Sequence, residues 1–413
     1  MFSYPKELDS VFNTLLLHHI HPIIVGGYVR DFFLSRTSKD IDVEVYGLDS
    51  YAKLEALLGE FGSVNSVGKS FGICQLQLAE YTVDFSFPRR DSKVAQGHRG
   101  FSVEVDTTLD FQSAAKRRDF TINAIGFDLA SQQFLDPYQG KKDLQKGVLN
   151  AVDTQTFQED PLRVLRAVQM SARFSLQLSP ALLKLCMQMV AKGVLQELPK
   201  ERILEEMKKL FFLSPKISQG FFLLQKLGTF DFFTPLNTLA QKQIQTIGDS
   251  LDRYTHKEAN KTNLSIMFAL VCYYFTKEQT QVFLAHFTND TKLRRKVLIL
   301  IEHKTAFHNT HITDYDLYTL ATQLPLEEYF LFAQAQEPSK IAHINQLYER
   351  AKKLQILQGK KPNLLRGKDL LALGIKPSKI FAHILEASYQ AQLKGEFTTK
   401  EAALEYVQKN LLP

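Results

Sequence analysis

The spacing of apolar residues changes near Phe157, and this change limits the folds that the chain can adopt. Before that point, short β-branched runs alternate with stretches of helical spacing, which is typical of an α/β or α+β domain. After it, apolar residues recur every three or four positions, as they do in amphipathic helices. We therefore predict the α+β class, with an N-terminal mixed-sheet head followed by all-α segments.

Several short segments of the head carry strand or helix signals. Residues 23–25 form a β-branched run that ends in a Gly-Gly pair, and helical spacing follows to Leu34. Alternating and β-branched patterns predict more strands, and helical spacing predicts one more helix. The predicted strands are residues 41–45, 73–78, 82–85 and 101–105, and the helix is residues 51–58.

The rest of the chain reads as helices that are separated by breaks at proline. Pro161 stands where a first-turn proline is tolerated, after an acidic pair suited to capping a helix. Further breaks lie near Pro215, Pro235 and Pro362. Apolar spacing predicts helices over residues 162–172, 182–190, 203–212 and 221–227. We predict four domains: a head (1–150), a helical neck (151–230), a helical body (231–350) and a basic helical tail (351–413).

Charge is unevenly distributed along the 413 residues. The formal net charge is +6, and residues 351–413 alone hold 11 Lys and Arg against 5 Asp and Glu, the same excess. A mildly basic chain fits a polyanionic partner, although many soluble proteins have a similar charge. The C-terminal segment is therefore the first candidate for contact with such a partner.

The cysteines and the apolar runs indicate the compartment. Cys74, Cys186 and Cys272 are far apart and odd in number, so they form neither a disulfide framework nor a zinc pattern. The N-terminus lacks the pattern of a signal peptide, and no apolar run reaches ~18 residues. We expect a cytoplasmic protein in a reducing environment, without membrane association. The sequence implies no protein partner.

A glycine turn and an acidic pair lie close together in VGGYVRDFFLSRTSKDIDVEVYG. Asp40 and Asp42 are two residues apart on a predicted strand, so both carboxylates lie on one face and need a counter-cation, most simply a divalent metal. Gly26 and Gly27 open a helix whose amides can approach a phosphate, and Arg30 can reach the same group. Each feature alone is a weak signal, but together they describe a site for a metal-bound nucleoside triphosphate.

This combination resembles the nucleotidyltransferase superfamily, whose motif joins a Gly-rich turn to DxD on a following strand. The resemblance implies a polymerase-beta-like head and two Mg²⁺ ions at Asp40 and Asp42. One ion would activate the attacking 3′-hydroxyl, and both would stabilise the pentavalent phosphate. The superfamily usually offers a third carboxylate, for which Asp84 is the candidate. Glu44 continues the same face, or it is simply a solvated strand residue.

Two further segments resemble the class II CCA-adding enzyme and poly(A) polymerase family. RRDFTINAIGFD, residues 117–128, resembles its second motif, which implies that Arg118, Asp119 and Asn123 handle the sugar and phosphates. Asp and Asn side chains suit ribose hydroxyls, although the charged residues here could be an ordinary solvated ion pair. LDPYQGKKDL matches the next segment of the family, and we expect a structural turn there.

EDPLRVLRAVQMSARF resembles the nucleotide-selecting motif of the same family, and helical spacing puts Asp160, Arg163 and Arg166 on adjacent turns. An aspartate can accept from the amino group of cytosine or adenine while an arginine donates to the ring nitrogen. Uracil and guanine instead present a ring N–H and a carbonyl, so one Asp–Arg pair can admit CTP and ATP and refuse UTP and GTP. The alternative is ion pairing along a helix. Gln169 departs from the family, which often has arginine there.

The C-terminal segment LLRGKDLLALGIKPSKIFAHILEASYQAQLKGEF resembles family tails that contact the tRNA elbow. Spaced cations suit phosphate contact without sequence readout, and a solvated charged helix is the alternative. The candidate tRNA-binding residues are Lys360, Lys361, Arg366, Lys368, Lys376 and Lys379.

The resemblance implies template-independent addition of C, C and A to the tRNA 3′ end, with CTP and ATP as the nucleotides. The basic segment PRRDSKVAQGHRGF resembles a mobile loop that CC-only relatives shorten, which argues against a CC-only enzyme. An A-adding enzyme and a bacterial poly(A) polymerase share these motifs and stay open. A catalytically silent RNA-binding protein is the alternative from another class.

Two other segments are predicted to have no catalytic or metal-binding role. NLSIMFALVCYYFTKEQ stands where some relatives carry the HD pair of a phosphohydrolase, and it has no such pair, so we expect no such activity. His18, His19 and His21 have no acidic or thiol partner at ligand spacing, so we expect a surface or packing role.

Overall fold

The structure is a computed structural model that describes residues 2–65, 73–93, 101–257, 263–308 and 311–412. The chain divides into two compact units, Met1–Asn237 and Thr238–Pro413. The described strands all lie in the first unit, and the second unit is helical. The predicted α+β class is confirmed. The finer division into four domains stays a prediction.

Eleven strands are described in the first unit: β1 (His21–Val25), β2 (Asp40–Tyr46), β3 (Ser63–Asn65), β4 (Ile73–Leu78), β5 (Tyr81–Ser86), β6 (Arg89–Lys93), β7 (Phe101–Val105), β8 (Gly126–Asp128), β9 (Gln133–Leu135), β10 (Val148–Leu149) and β11 (Gln177–Leu178). Seven of them form a mixed sheet in the order β3-β4-β5-β2-β1-β8-β9. Within it only β2 and β5 pair in parallel. Strands β6 and β7 form an antiparallel ribbon, and β10 pairs with β11 in parallel.

Ten α-helices are described in the same unit: α1 (Asp9–Leu17), α2 (Gly27–Phe33), α3 (Tyr51–Gly59), α4 (Phe111–Ala115), α5 (Gly140–Lys146), α6 (Thr154–Glu159), α7 (Leu162–Phe174), α8 (Pro180–Ala191), α9 (Lys200–Leu213) and α10 (Ile217–Lys226). Helix α7 packs against α9 and α10. The apolar stripe of α7 is buried, which leaves its charged residues on the opposite side.

Alternation along β2 separates its apolar and acidic residues. Ile41, Val43 and Val45 are buried in the main core of the sheet. Because successive side chains of a strand point to opposite faces, Asp40, Asp42 and Glu44 share the other face. The antiparallel register of β1 and β2 pairs Val25 with Asp42, so the glycine turn after β1 lies beside the acidic pair.

The strands and helices that the sequence predicted are confirmed within a few residues at each end. Helix α7, for example, was predicted over residues 162–172 and runs from Leu162 to Phe174. The sequence did not predict β3, β6, β8 or β9, nor the two-residue strands β10 and β11. Strand β8 lies inside the RRDFTINAIGFD motif and has only three residues, too few for a periodic signal.

The described helices of the second unit are α11 (Gln241–Lys257), α12 (Leu264–Val271), α13 (Lys277–Leu284), α14 (Thr291–Glu302), α15 (Asp314–Ala321), α16 (Leu326–Gln336), α17 (Ile341–Lys353), α18 (Gly367–Ala372), α19 (Lys379–Lys394) and α20 (Lys400–Asn410). Helix α12 is buried from Ser265 to Val271 and packs against α14 and α16. The last helices share an apolar cluster that includes Leu370, Ile384 and Val407. None of the described helices has the length and apolar character needed to cross a membrane.

Candidate active site

The acidic pair lies at the centre of the sheet in the first unit. Asp40 and Asp42 are exposed on β2, and the parallel register pairs Asp42 directly with Asp84 of β5. Although Asp42 keeps a solvent-exposed surface, the groups packed around its carboxylate displace water and raise its pKa. Arg118 opposes this rise, and the charges of Asp84, Asp40 and Glu44 add to it. Crowding of carboxylates in one place is an arrangement that a cation would relieve.

The alternative in which Glu44 is a solvated strand residue is wrong. Its side chain is fully buried, and one oxygen accepts from Arg117 at 2.8 Å and from Arg118 at 3.1 Å. Its other oxygen accepts from the Tyr46 hydroxyl at 2.9 Å. Burial alone would raise the pKa of Glu44, but the two arginines outweigh burial and hold the pKa below its usual range. Glu44 therefore fixes two arginines beside the acidic pair.

The glycine turn differs in one detail from the predicted phosphate cradle. Gly26 has φ +73°, a conformation that favours glycine, and a Cβ there would lie 3.1 Å from Arg118 Nη1 and 3.4 Å from Asp42 Oδ2. Its own N–H, however, donates to the Ile125 carbonyl at 3.3 Å. Gly26 therefore serves close approach, and amide contact to a phosphate is left to Gly27 and the next residues of α2.

A buried polar network connects the glycine helix with α7. Arg30 donates to Asn123 Oδ1 at 2.7 Å and pairs with Asp31 at 2.7 Å. Asn123 Nδ2 donates to Asp119 Oδ1 at 2.9 Å, and the other Asp119 oxygen takes both Nε and Nη2 of Arg166 at 2.7 and 2.5 Å. The solvated ion pair considered for this motif is therefore wrong for Asp119, which is buried.

The electrostatics of this network favour an ionised Asp119. Burial alone would raise its pKa, but Arg166 and the hydrogen bond from Asn123 lower the pKa below its usual range. The pKa of Arg166 is raised in turn, chiefly by Asp119. A fully paired network of this kind holds its side chains in one geometry.

Helical spacing predicted that Asp160 lies on the same helix as Arg163. It lies instead just before α7, between α6 and α7. Its Oδ1 accepts from the N–H of Leu162, the first residue of α7, at 3.0 Å, and its Oδ2 accepts from Arg202 of α9 at 3.1 Å. Arg163 donates to the backbone carbonyls of Thr156 at 2.9 Å and Arg117 at 2.6 Å. Both side chains keep donor or acceptor capacity for a ligand, since arginine has five N–H donors and a carboxylate about four acceptor sites.

One cleft of about 600 Å³ gathers the predicted residues. Every residue predicted to bind nucleotide or metal lines it, with the exception of Asp84. Its wall contains eight Arg and Lys side chains and five Asp side chains, so it suits an anionic ligand. The predicted residues in the wall are Gly26, Gly27, Arg30, Asp40, Asp42, Arg118, Asp119, Asn123, Asp160, Arg163 and Arg166.

Three families match successive parts of the chain. Residues 23–150 match the family described as the poly A polymerase head domain. Residues 175–238 match a "Probable RNA and SrmB-binding site of polymerase A", and residues 259–407 match the family described as "tRNA nucleotidyltransferase domain 2 putative".

The chain belongs to the class II tRNA nucleotidyltransferase and poly(A) polymerase family.

Curated relatives match a part of this family member. A Multifunctional CCA protein from Xylella fastidiosa (strain M12) is 37% identical over 189 residues, which are 45% of this chain and 43% of the relative. A protein of the same name from Neisseria gonorrhoeae (strain NCCP11945) is 34% identical over 186 residues, again 45% and 43%. The match thus spans less than half the length of these relatives.

Solved structures of CCA-adding enzymes share the fold over nearly the whole chain. The Bacillus stearothermophilus enzyme in complex with CTP matches with a TM-score of 0.76 at 19% identity, covering 98% of both chains. The Thermotoga maritima enzyme in complex with tRNA matches with a TM-score of 0.71 at 20% identity, covering 99% of this chain and 97% of that one. At such identities the likeness concerns the fold.

Nucleotidyltransferases depend on divalent metal, and the acidic pair of this family member suits a hard cation. Among the described residues, no group of three or more His, Cys, Asp or Glu is gathered as a metal site. Asp84 lies beside Asp42 but accepts from the Gln75 amide at 2.8 Å, and it does not line the cleft. A divalent cation that also takes substrate phosphates and water as ligands needs only one or two protein carboxylates.

Several side chains in the cleft were not predicted from the sequence. Arg117, Arg173, Arg202 and Lys209 line it, and Lys209 pairs at 2.8 Å with the buried Glu206. Arg173 lies two helical turns beyond Arg166 on α7, and Arg117 adjoins Arg118, so position along the motifs could have indicated both. Arg202 and Lys209 lie on α9, outside the quoted motifs, and tertiary packing brings them to the cleft. The buried Gln169 does not line the cleft, and its Nε2 has no hydrogen-bond partner among the residues that the structure describes.

The predicted tail residues differ in accessibility. Lys361 is half-buried, and its Nζ donates to the Tyr318 hydroxyl at 3.2 Å. The exposed ones are Lys360, Arg366, Lys368, Lys376 and Lys379. His18, His19 and His21 are exposed, which confirms their predicted surface position. Half of the basic segment that resembles a mobile loop, residues 94–100 of 88–101, lies outside the described residues.

Proposed function

We propose that the protein adds C, C and A to the 3′ end of tRNA without a nucleic acid template, using CTP and ATP. The observation that carries this proposal is the single cleft lined by the glycine turn, the acidic pair and the Asp160–Arg163 pair. These groups would serve the phosphates, the reacting centre and the base of one nucleotide. The CCA-adding names of the matched relatives and folds support the same activity.

The reaction joins the RNA 3′-hydroxyl to the α-phosphate of the nucleotide and releases pyrophosphate. Asp40 and Asp42 are the residues proposed to hold two Mg²⁺ ions. When bound, the metal would supply activation of the hydroxyl and stabilisation of charge on the phosphate. Arg118, held by Glu44 at 3.1 Å, would add positive charge beside the same phosphate. We propose Asp84 as a positioning neighbour of Asp42 or a third metal carboxylate.

Asp119 and Asn123 are proposed to bind the ribose and to order the cleft. Their mutual hydrogen bond and the Asp119–Arg166 pair fix both side chains before substrate arrives. Such preorganisation lowers the entropy cost of binding in the reactive geometry.

Asp160 and Arg163 are proposed to read the base. Arg202 and the Leu162 N–H orient the Asp160 carboxylate, and two backbone carbonyls orient the Arg163 guanidinium. A fixed acceptor beside a fixed donor complements cytosine and adenine, whereas uracil and guanine would place a carbonyl against Asp160 and an N–H against Arg163. Buried polar groups left unpaired in this way reject the wrong base.

Two other activities in the same family, A-addition alone and poly(A) polymerisation, would use the same cleft. The deciding experiment supplies three tRNAs, which end before the first C, after one C and after both. Each is incubated with labelled CTP or ATP in separate reactions with Mg²⁺. CCA addition predicts C incorporation on the first two and a single A on the third. An A-adding enzyme would use only the third, and a polymerase would extend it with many A residues. No incorporation on any tRNA would indicate a silent RNA-binding protein.

A further inference from the structure

Three arginines surround one phenyl ring at the end of α7. The guanidinium carbon of Arg30 lies 4.4 Å from the centroid of the Phe174 ring, that of Arg173 lies at 4.8 Å and that of Arg36 at 4.9 Å. An aromatic face attracts a cation. Three cations around one ring nevertheless repel one another, so the cluster favours the arrival of an anion.

The negative charge near the three arginines does not neutralise their positive charge. Arg30 is paired with Asp31 at 2.7 Å, and Arg36 donates to the backbone carbonyl of Arg173 at 3.2 Å. Among the described residues, the Arg173 guanidinium has no hydrogen-bond or ion-pair partner. Its pKa is lowered by burial first and then by the charge of Arg30; the charge of Asp31 opposes this, and that of Arg36 lowers the pKa further. Arg173 is therefore a half-buried cation with its donors unused.

The arginine cluster lies at one end of the cleft. Arg173 lines the cleft and lies on α7 about 15 Å beyond Arg163, from the helical rise per residue. Arg36 precedes Asp40 in the segment that leads into β2, whereas Arg118 is held at Glu44, further along the same strand. Positive charge therefore flanks the acidic pair on both sides.

We propose that Arg36 and Arg173 form a phosphate subsite for the RNA acceptor strand, holding a backbone phosphate near its 3′ end. This inference rests on the proposed function. Nucleotidyl transfer brings two polyanions to one metal centre, and the Gly26–Arg118 side already serves the triphosphate. The part of the cleft beside Asp160 and Arg163 binds the base in the proposed function. The part beside Arg173 is therefore left for the RNA acceptor strand. Guanidinium groups suit this role because they bind a phosphate through two parallel hydrogen bonds.

The test uses Arg173→Gln and Arg36→Gln, with Arg295→Gln on the surface of α14 as a control of equal charge change. The probe is an acceptor-stem RNA hairpin that ends in CC, and its Kd is measured without nucleotide. We expect each subsite variant to raise the RNA Kd about tenfold, as for loss of a charged hydrogen bond, and to reduce the salt dependence by about one phosphate contact. The KM for ATP should stay near the wild-type value, and thermal melting should confirm folding.

Neutralising single phosphates of the RNA shows which of them the arginines contact. Methylphosphonate linkages, which are uncharged, are placed one at a time near the 3′ end of the hairpin. When the contacted linkage is neutral, the RNA should bind wild type about tenfold more weakly than the unmodified RNA does. Arg173→Gln should bind the modified and unmodified RNAs with the same Kd, because the two changes remove the same interaction.

Three results would overturn the subsite. If the ATP KM rises while RNA affinity is unchanged, the cluster binds the triphosphate. If neither changes, it binds no substrate phosphate. If the methylphosphonate and Arg173→Gln losses add at every linkage, the arginine acts only through distant charge. Because RNA affinity is measured without nucleotide, these results are distinct from failure of the proposed function, which would appear as no incorporation by wild type.

Discussion

Asp42 of β2 and Asp84 of β5 are direct register partners in the only parallel strand pair of the described seven-stranded sheet. The two carboxylates nevertheless have different surroundings. Asp42 lines the cleft, while Asp84 accepts from Gln75 at 2.8 Å outside it. Their roles should therefore be separable by substitution.

We predict that Asp42→Asn lowers kcat for incorporation at least about a hundredfold, because metal and phosphate lose several kcal/mol of charge stabilisation. Asp84→Asn should have a smaller effect on kcat. Both variants should bind tRNA like wild type, and chelation of divalent ions should abolish wild-type turnover until Mg²⁺ is restored. Equal kcat losses for Asp42→Asn and Asp84→Asn would make Asp84 a full metal ligand. Normal turnover by Asp42→Asn in Mg²⁺ would contradict the metal assignment.

Removing the charge of Glu44 should destabilise the first unit. Glu44→Gln removes a fully buried negative charge that pairs with both Arg117 and Arg118, and breaking a buried ion pair from one side costs about 3–5 kcal/mol. Tyr46→Phe is the control, since it removes only one hydrogen bond to the same carboxylate and should cost about 1 kcal/mol. Urea unfolding measures both changes. A Glu44→Gln cost no greater than that of Tyr46→Phe would mean that the ion pairs contribute little.

The sequence predicted the side of β2 on which Glu44 lies but not its burial. Alternation assigns faces, whereas burial depends on Arg117 and Arg118, which come from a distant part of the chain. The Asp160–Arg202 pair likewise links the turn before α7 to α9 through a contact between residues 42 positions apart. The motif residues themselves could be predicted because they are local patterns. Their partners could not, because tertiary packing brings them together.

Stability at acid pH should depend on Asp119. Its folded pKa lies below the ordinary value because Arg166 and Asn123 outweigh burial. A lowered pKa means that the stability from this carboxylate is fully present above its unfolded pKa of about 3.9 and is lost as pH falls through the folded pKa. Urea unfolding from pH 5 downwards should therefore show a steeper fall for wild type than for Asp119→Asn, which cannot titrate there. Parallel curves would refute this linkage.

The exposed tail cations should bind tRNA phosphates. A triple variant, Lys368→Gln, Lys376→Gln and Lys379→Gln, should weaken tRNA binding and reduce its salt dependence by up to about three phosphate contacts. The matched control changes the exposed Lys352, Lys353 and Lys409 to Gln. Point variants are preferable to truncation, because Lys361 and Gln390 of the tail bond to Tyr318 and Tyr315 of α15. The same loss in both triple variants would indicate a general charge effect.

Base selection tests the central claim most directly. The measurement is kcat/KM for CTP, ATP, UTP and GTP on a tRNA ready for its next nucleotide, compared between wild type and Asp160→Ala. Loss of the acceptor for the amino group should reduce the advantage of CTP and ATP over UTP and GTP by about ten- to a hundredfold, or ~1–3 kcal/mol. Arg163→Ala should act in the same direction. A uniform drop for all four nucleotides, with the CTP and ATP preference intact, would show that Asp160 only supports the fold and that the base is read elsewhere.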